Sequence, residues 1–153
     1  MFGARQRNEI GIFMLIEILC TGDEILTGKT VNTNYSHMAR RFGEVGLTMH
    51  WSTVVGDDRS CLASAFQQAS QRADAVIVNG GLGPTVDDLS QEVAAEAAGV
   101  GLILDENWLS RMLDFYERRG RTMPPNNKKQ AMLPEGAEFI DNPIGTALSL
   151  IHI

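Results

Sequence analysis

Cysteine is almost missing from this chain. Cys20 and Cys61 are the only two in 153 residues, and no Cys-x-x-Cys spacing joins them. So sparse a pair excludes a disulfide framework and fits a reducing compartment, with the cytoplasm the expected location. Long apolar runs are missing too. The segment from Ile10 to Ile18 is interrupted by Gly11 and Glu17 and falls well short of the roughly 20 residues of a membrane span. Arg5 and Arg7 precede it as in a secretory signal, but no small-residue cleavage site follows and the run reads directly into a strand. Basic residues are outnumbered 13 to 19, leaving a net charge of -6, and they never cluster. That balance argues against nucleic acid or an anionic membrane as the partner. Of the three histidines, His37 falls on an expected helix, His50 on a strand and His152 in the tail, without metal-ligand spacing. No Ser/His/Asp grouping can be argued, and Cys61 reads as a packed small hydrophobe rather than a nucleophile. Trp51 and Trp108 read as packing residues.

What is present is enough apolar material, at this length, for one domain. Met14 is read as the natural start, with residues 1 to 13 a poorly ordered leader. Strand and helix patterns then alternate. Leu15 to Cys20 suits a buried strand, and Thr33 or Asn34 can cap a helix running to about Val45, with Gly46 as its stop. Thr48 to Val55 is a β-branched strand, Asp57 or Asp58 can cap a helix to Arg72, and Ala73 to Val78 is a nearly all-apolar strand. Asp87 or Asp88 opens a helix through Ala98. A short strand at Leu102 to Leu104 precedes a helix from Asn107 to Arg119. Beyond Pro124 and Pro125, a short helix holds Asn127 to Met132, and Ala137 to Ile140 reads as a late strand. This rhythm predicts an α/β fold, a mostly parallel sheet with helices on both faces.

The stretch from Asn79 to Asp88, Asn-Gly-Gly-Leu-Gly-Pro-Thr-Val-Asp-Asp, lies between an apolar strand and a helix. Open α/β sheets bind ligands there, at the carboxyl ends of their strands. Gly80, Gly81 and Gly83 allow backbone amides to turn toward an anion, Thr85 offers a hydroxyl, and the helix N-terminus adds partial positive charge. Asp87 and Asp88 would repel a bare phosphate, so they either cap the helix or hold a metal that carries the phosphate. A tight strand-to-helix turn with a capping Asp is the plainer alternative. The dinucleotide fingerprint fails, since Val86 stands where its third glycine belongs. Gly22 to Thr30 imitates a P-loop but has five residues between its glycines where four are required. Its Asp23 and Glu24 could instead face the glycine loop and supply metal-binding oxygens. Asn32 and Asn34 could touch a ribose or base, or simply cap a helix.

Taken together, Thr21-Gly22-Asp23-Glu24-Ile25-Leu26 with Gly28, Asn32-Thr33-Asn34, Val55-Gly56-Asp57, and Gly80-Gly81-Leu82-Gly83-Pro84-Thr85 with Asp87-Asp88 resemble one family. So do Asn127, Lys129, Gln130 and Ala131, and then residues 142 to 147. The family is that of the N-terminal domain of competence-damage-inducible CinA proteins, related to the molybdopterin-binding domains of MoaB and MogA. The resemblance runs from about Leu15 to Ala147. It implies a three-layer α/β/α molybdopterin-binding-type fold and, in CinA members, a divalent-metal-dependent pyrophosphatase acting on ADP-ribose-like nucleotides, with Mg²⁺ or Co²⁺ as the metal. Carried onto matching positions, Gly80, Gly81, Leu82, Gly83 and Thr85 bind phosphate, with Asn32 and Asn34 contributing to the ligand site. Asp23, Asp87 and Asp88 become catalytic metal ligands, assisted by Glu24. The metal would polarise a phosphoryl oxygen and acidify a bound water, which a carboxylate deprotonates. Lys129 would neutralise the leaving phosphate, unless it only solvates a helix face.

The family pattern continues beyond Gly-Thr-Ala into further sheet elements, whereas residues 148 to 153 read as a foreign or truncated tail. The nicotinamide-mononucleotide deamidase domain of many CinA proteins has no counterpart here. The resemblance also implies a homo-oligomer and, as the alternative to turnover, a module that binds a pterin phosphate without hydrolysing it. An inert fragment is the third reading.

Overall fold

The structure, a computed structural model, describes residues 14–140, 142, 146 and 149–151. The expected leader at residues 1 to 13 lies outside them, as do Leu148, His152 and Ile153 of the tail. Strand β1 (Ile16–Thr21) is buried at every position. It is central, with β2 (Met49–Val55) on one side and β3 (Ala75–Asn79) on the other, both parallel to it. A strand covered on both faces cannot alternate apolar and polar residues, which is why its sequence reads as a near-continuous apolar run. The exception is Glu17, fully buried. Arg72 donates to it from Nε at 2.7 Å and from Nη2 at 2.5 Å, and the Thr53 hydroxyl donates at 2.6 Å. Burial alone would raise the Glu17 pKa, but these bonds and the Arg72 charge bring it below the ordinary 4.5.

Helix α3 (Arg59–Arg72) buries Leu62, Phe66 and Ala69. These side chains meet Leu19 and Val55 of the sheet and Val93 of α4 (Ser90–Ala98) in the main core. A second core packs Trp108 and Met112 of α5 (Glu106–Glu117) against Ala131 and Leu133. The caps follow simple donor arithmetic: Asn32, Asp58 and Asp105 accept from the N–H three residues on and so start α2 (Thr33–Glu44), α3 and α5. Sequence patterning placed the α2 cap one or two residues late, at Thr33 or Asn34. Trp108 is core, as expected, and Trp51 is half-buried beneath the Arg72 guanidinium. Cys20 is packed within the buried strand, as expected, whereas Cys61, expected to be packed, stands exposed on α3.

The central three-stranded sheet is parallel, as patterning predicts. The remaining described strands pair differently: β4 (Leu102–Leu104) runs antiparallel to β5 (Met132–Pro134), and β6 (Glu138–Ile140) antiparallel to β7 (Ser149–Ile151). The expected short helix is a 3-10 helix, Pro125–Ala131, and Met132 belongs to β5 instead. Pro125 opens that helix where its missing N–H is no loss. No helix among the described residues is long and apolar enough to cross a membrane.

Candidate active site

Parallel order β2-β1-β3 sets the carboxyl ends of three strands side by side, and the loops that follow them form the site. After β1 comes one helical turn, α1 (Asp23–Leu26). Its amides are spent internally: Thr27 N–H bonds Asp23 O, Gly28 N–H bonds Ile25 O and Thr30 N–H bonds Glu24 O. A P-loop must keep such amides for phosphate, so this glycine-bounded stretch is no phosphate cradle. It delivers carboxylates instead. The Asp23 carboxylate accepts from Asp57 N–H at 3.3 Å, and the Asp57 carboxylate accepts from Asp23 N–H at 3.2 Å. Gly56 leaves room beside them, since a Cβ there would overlap Asp23 Oδ1 and push that carboxylate aside.

After β3 the glycine loop turns on two residues of positive φ, Gly80 at 111° and Gly81 at 64°. A Cβ on Gly80 would stand 2.5 Å from the Thr21 carbonyl, and one on Gly81 would overlap the Ser90 hydroxyl. The loop's carbonyls are tied back into the protein. Gly81 O accepts from Ser90 N–H at 3.2 Å, Leu82 O from Gln130 Nε2 at 3.3 Å and Thr85 O from Lys129 Nζ at 3.2 Å. Among the described residues no hydrogen bond uses the N–H of Gly81, Leu82 or Gly83. With the carbonyls engaged, the unspent amides are the donors that an anion at this loop would need.

Asp88 turns back on this loop. Its carboxylate accepts from Thr85 N–H at 2.8 Å and from the Thr85 hydroxyl. It therefore does not open the following helix, and neither does Asp87. Helix α4 begins at Ser90 after Leu89, with no side-chain cap. Asp87 is exposed. The Thr85 hydroxyl, shared with Asp88, then its own backbone amide and the Lys129 charge hold its carboxyl below the ordinary 3.8.

Asp57 is displaced the other way. Partial burial first, then the negative charges of Asp23, Glu24 and Asp87, raise its pKa, against the hydrogen bond from Asp23 N–H. Asp23, Glu24 and Asp87 are thus brought within one field with Asp57. No three His, Cys, Asp or Glu side chains among the described residues are grouped closely enough to share a metal ion on their own.

Asn32 caps α2 through its side-chain oxygen at 3.0 Å from Tyr35 N–H. Asn34 donates to Asn79 Oδ1 at 3.1 Å, bridging the start of α2 to the end of β3. Lys129, besides Thr85 O, pairs with Glu92 at 3.3 Å. Two residues here were quoted in the sequence without a site role, Asp57 and Gln130. The signal was present for both, in Val55-Gly56-Asp57 and in the Lys129-Gln130-Ala131 stretch. Patterning offers Asp57 or Asp58 as the cap of α3, and Asp58 takes that role. A surface groove of about 470 Å³, lined by Thr53, Ser60, Cys61, Gln68 and Arg72 among others, lies between β2 and α3, away from the glycine loop.

Residues 17–151 match the family described as "Probable molybdopterin binding domain". A CinA-like protein of Escherichia coli O9:H4 (strain HS) is 51% identical over 132 residues, 86% of this chain and 33% of that protein. The NMN amidohydrolase-like protein YfaY of Escherichia coli K12 matches to the same extent. The chain thus spans a third of the length of the curated relatives it matches. A crystal structure of CinA, of unknown function, from Thermoplasma acidophilum superposes with a TM-score of 0.81 at 35% identity, covering 91% of this chain and 81% of that one. The chain belongs to the molybdopterin-binding-domain family, on its CinA-like branch.

Proposed function

We propose that this domain binds the pyrophosphate of an ADP-ribose-like nucleotide and, with a divalent cation such as Mg²⁺ or Co²⁺, hydrolyses it. The observation that carries this reading is the glycine loop, with its carbonyls tied back and its Leu82 and Gly83 amides unspent, beside the acids Asp23, Asp57 and Asp87. A loop that turns its amides outward suits a phosphate, and acids alone would repel one.

The acids do not make an all-protein cage, but Mg²⁺ is commonly held by one or two carboxylates and completed by water and substrate phosphate oxygens. Burial first, and then the charges of Asp23, Glu24 and Asp87, raise the Asp57 pKa, and a cation would relieve the second of these causes. Asp23 and Asp57 are the residues best placed to hold it, with Glu24 and Asp87 at the rim. Asp88 is spent on Thr85, so its part is to shape the loop. When bound, the cation would supply Lewis acidity at a phosphoryl oxygen and a more acidic water. This chain's own residues then divide the work. The loop amides hold the phosphate, Asp87 stays ionised as a proton acceptor near the loop, and Lys129 meets charge on the departing phosphate. Asn34 and Asn79 present an amide pair where a ribose or base edge would lie.

Release of AMP from ADP-ribose, measured with Mg²⁺, Co²⁺ or no metal, tests this reading in the unchanged chain and in Asp57→Asn and Asp87→Ala. Metal-dependent turnover lost in the variants supports it. No turnover by a chain shown to be folded leaves a pterin-phosphate module without hydrolysis. The family description favours that second reading, and direct titration with a pterin phosphate would test it.

A further inference from the structure

Gln130 is almost fully buried, at 3% exposure, yet it is polar and sits between three elements. Its Nε2 donates to the Leu82 carbonyl of the glycine loop at 3.3 Å. Its Oε1 accepts from Asn127 Nδ2 at 2.9 Å and from the Thr146 hydroxyl at 3.3 Å. Asn127 is itself fixed by the Tyr116 hydroxyl at 3.0 Å, and the Thr146 carbonyl accepts from Trp108 Nε1 at 3.3 Å. The consequence is directional. An amide can turn over, but the Leu82 carbonyl can only accept, so Nε2 faces it, and the Asn127 amide and Thr146 hydroxyl hold that orientation by donating to Oε1. With that carbonyl engaged, the neighbouring loop amides are free to face the other way.

We infer that Gln130 is a positioning residue for the phosphate loop, held in one amide orientation by Asn127 and Thr146 so that it ties back the Leu82 carbonyl and turns the loop amides toward an anion. The inference rests on the phosphate-binding reading above and adds the device that preorganises the loop. Binding an anion through preset amides avoids the cost of turning carbonyls away at the moment of binding.

The test uses the full chain with inorganic pyrophosphate as the probe, titrated at pH 8 and pH 5, for Gln130→Glu, Gln130→Met and the milder Thr146→Val. The glutamate is nearly isosteric but, when ionised, sets an acceptor against an acceptor. Both Gln130 variants are expected to bind pyrophosphate about tenfold more weakly at pH 8, the effect of one lost buried hydrogen bond. At pH 5 the introduced carboxyl, protonated beside the carbonyl, donates again. Gln130→Glu then recovers to within about twofold of the unchanged chain, as expected for a restored bond, while Gln130→Met does not. Lys129, Glu92 and Tyr116 lie nearby in every version, so each comparison is made with the unchanged chain at the same pH. A general loss of structure would weaken both variants alike and would not reverse in acid. Unweakened binding in both Gln130 variants, or recovery shared by both, overturns the inference.

Amide hydrogen exchange without ligand at Thr85, Asp88 and Ser90, whose N–H groups are bonded within the loop, decides the matter separately. Faster exchange in the Gln130 variants, and to a lesser degree in Thr146→Val, supports the clamp, and unchanged exchange overturns it. If the unchanged chain binds no pyrophosphate, the phosphate reading fails while the exchange result still judges the clamp.

Discussion

Asp23 and Asp57, 34 residues apart in the chain, each accept the other's backbone N–H, at 3.3 and 3.2 Å. The exchange locks the β1 and β2 loops together and satisfies two amides at strand ends. It also holds two carboxylates near each other, with Glu24 and Asp87 adding to the field on Asp57. Structure and electrostatics therefore conflict at this point, a common arrangement where charge serves a ligand rather than the fold.

A pH-dependent stability follows for Asp57. Its folded pKa is raised, so its stabilising contribution is present below the ordinary 3.8 and is lost as pH rises through the folded value. Asp57→Asn keeps an acceptor for Asp23 N–H and removes the charge. The variant is expected to melt above the unchanged chain at pH 7, with the gap closing as pH falls toward 3.8. Melting curves from pH 3 to pH 8 check this, and a gap that does not vary with pH would contradict it.

Glu17 behaves oppositely. Its folded pKa is lowered, so its contribution is present above the ordinary 4.5 and is lost as pH falls through the folded value. Glu17→Gln breaks a two-point pairing with Arg72 inside the sheet. Arg72 is 37% exposed and can be solvated once unpaired, so the cost is that of a lost charged hydrogen bond, about 2 kcal/mol, read from urea unfolding at pH 7. The deficit should shrink in acid, because the unchanged chain then loses the same interaction.

Gly80→Ala should destabilise by about 3 kcal/mol, combining an unfavourable φ with backbone contact. The new Cβ would stand 2.5 Å from the Thr21 carbonyl, which cannot move without shifting β1. Gly99→Ala supplies the control. Gly99 also has positive φ, 71°, but nothing lies within 4 Å of the added carbon. That change should cost only about 1 kcal/mol. Equal losses in the two variants would refute the steric argument.

Lys129→Gln retains a donor for the Thr85 carbonyl and removes the positive charge. Its pairing with Glu92 is partly exposed, so melting should change little. Pyrophosphate affinity should fall about fivefold, corresponding to roughly 1 kcal/mol of lost charge attraction. Loss of stability without loss of affinity would reduce Lys129 to a structural strut.

Most of the fold was legible because its signals are local. The apolar run of β1, the β-branched β2, the helical spacing of α3 and the positive-φ glycine at the end of α2 each act within a few residues. Errors arose where two local solutions compete. Thr33, Asn34 and Asn32 can all cap a helix, and the one that does is chosen by the incoming chain direction. Asp88 and Asp87 look like a cap in sequence, but the Thr85 amide and hydroxyl capture Asp88 first. The antiparallel pairs β4–β5 and β6–β7 were missed as pairs because three-residue strands carry almost no periodicity.

By itself the sequence determined the alternation of elements, the family, the glycine loop and the supply of acids around it, since these are properties of residue type and near spacing. Tertiary structure decided which acids face one another, that Asp88 serves the loop, and that Gln130 and Lys129 hold its carbonyls. Those relationships join residues tens of positions apart. They exist only because β2 and β3 both pair with β1 in parallel, bringing three strand ends and the 3-10 helix to one edge.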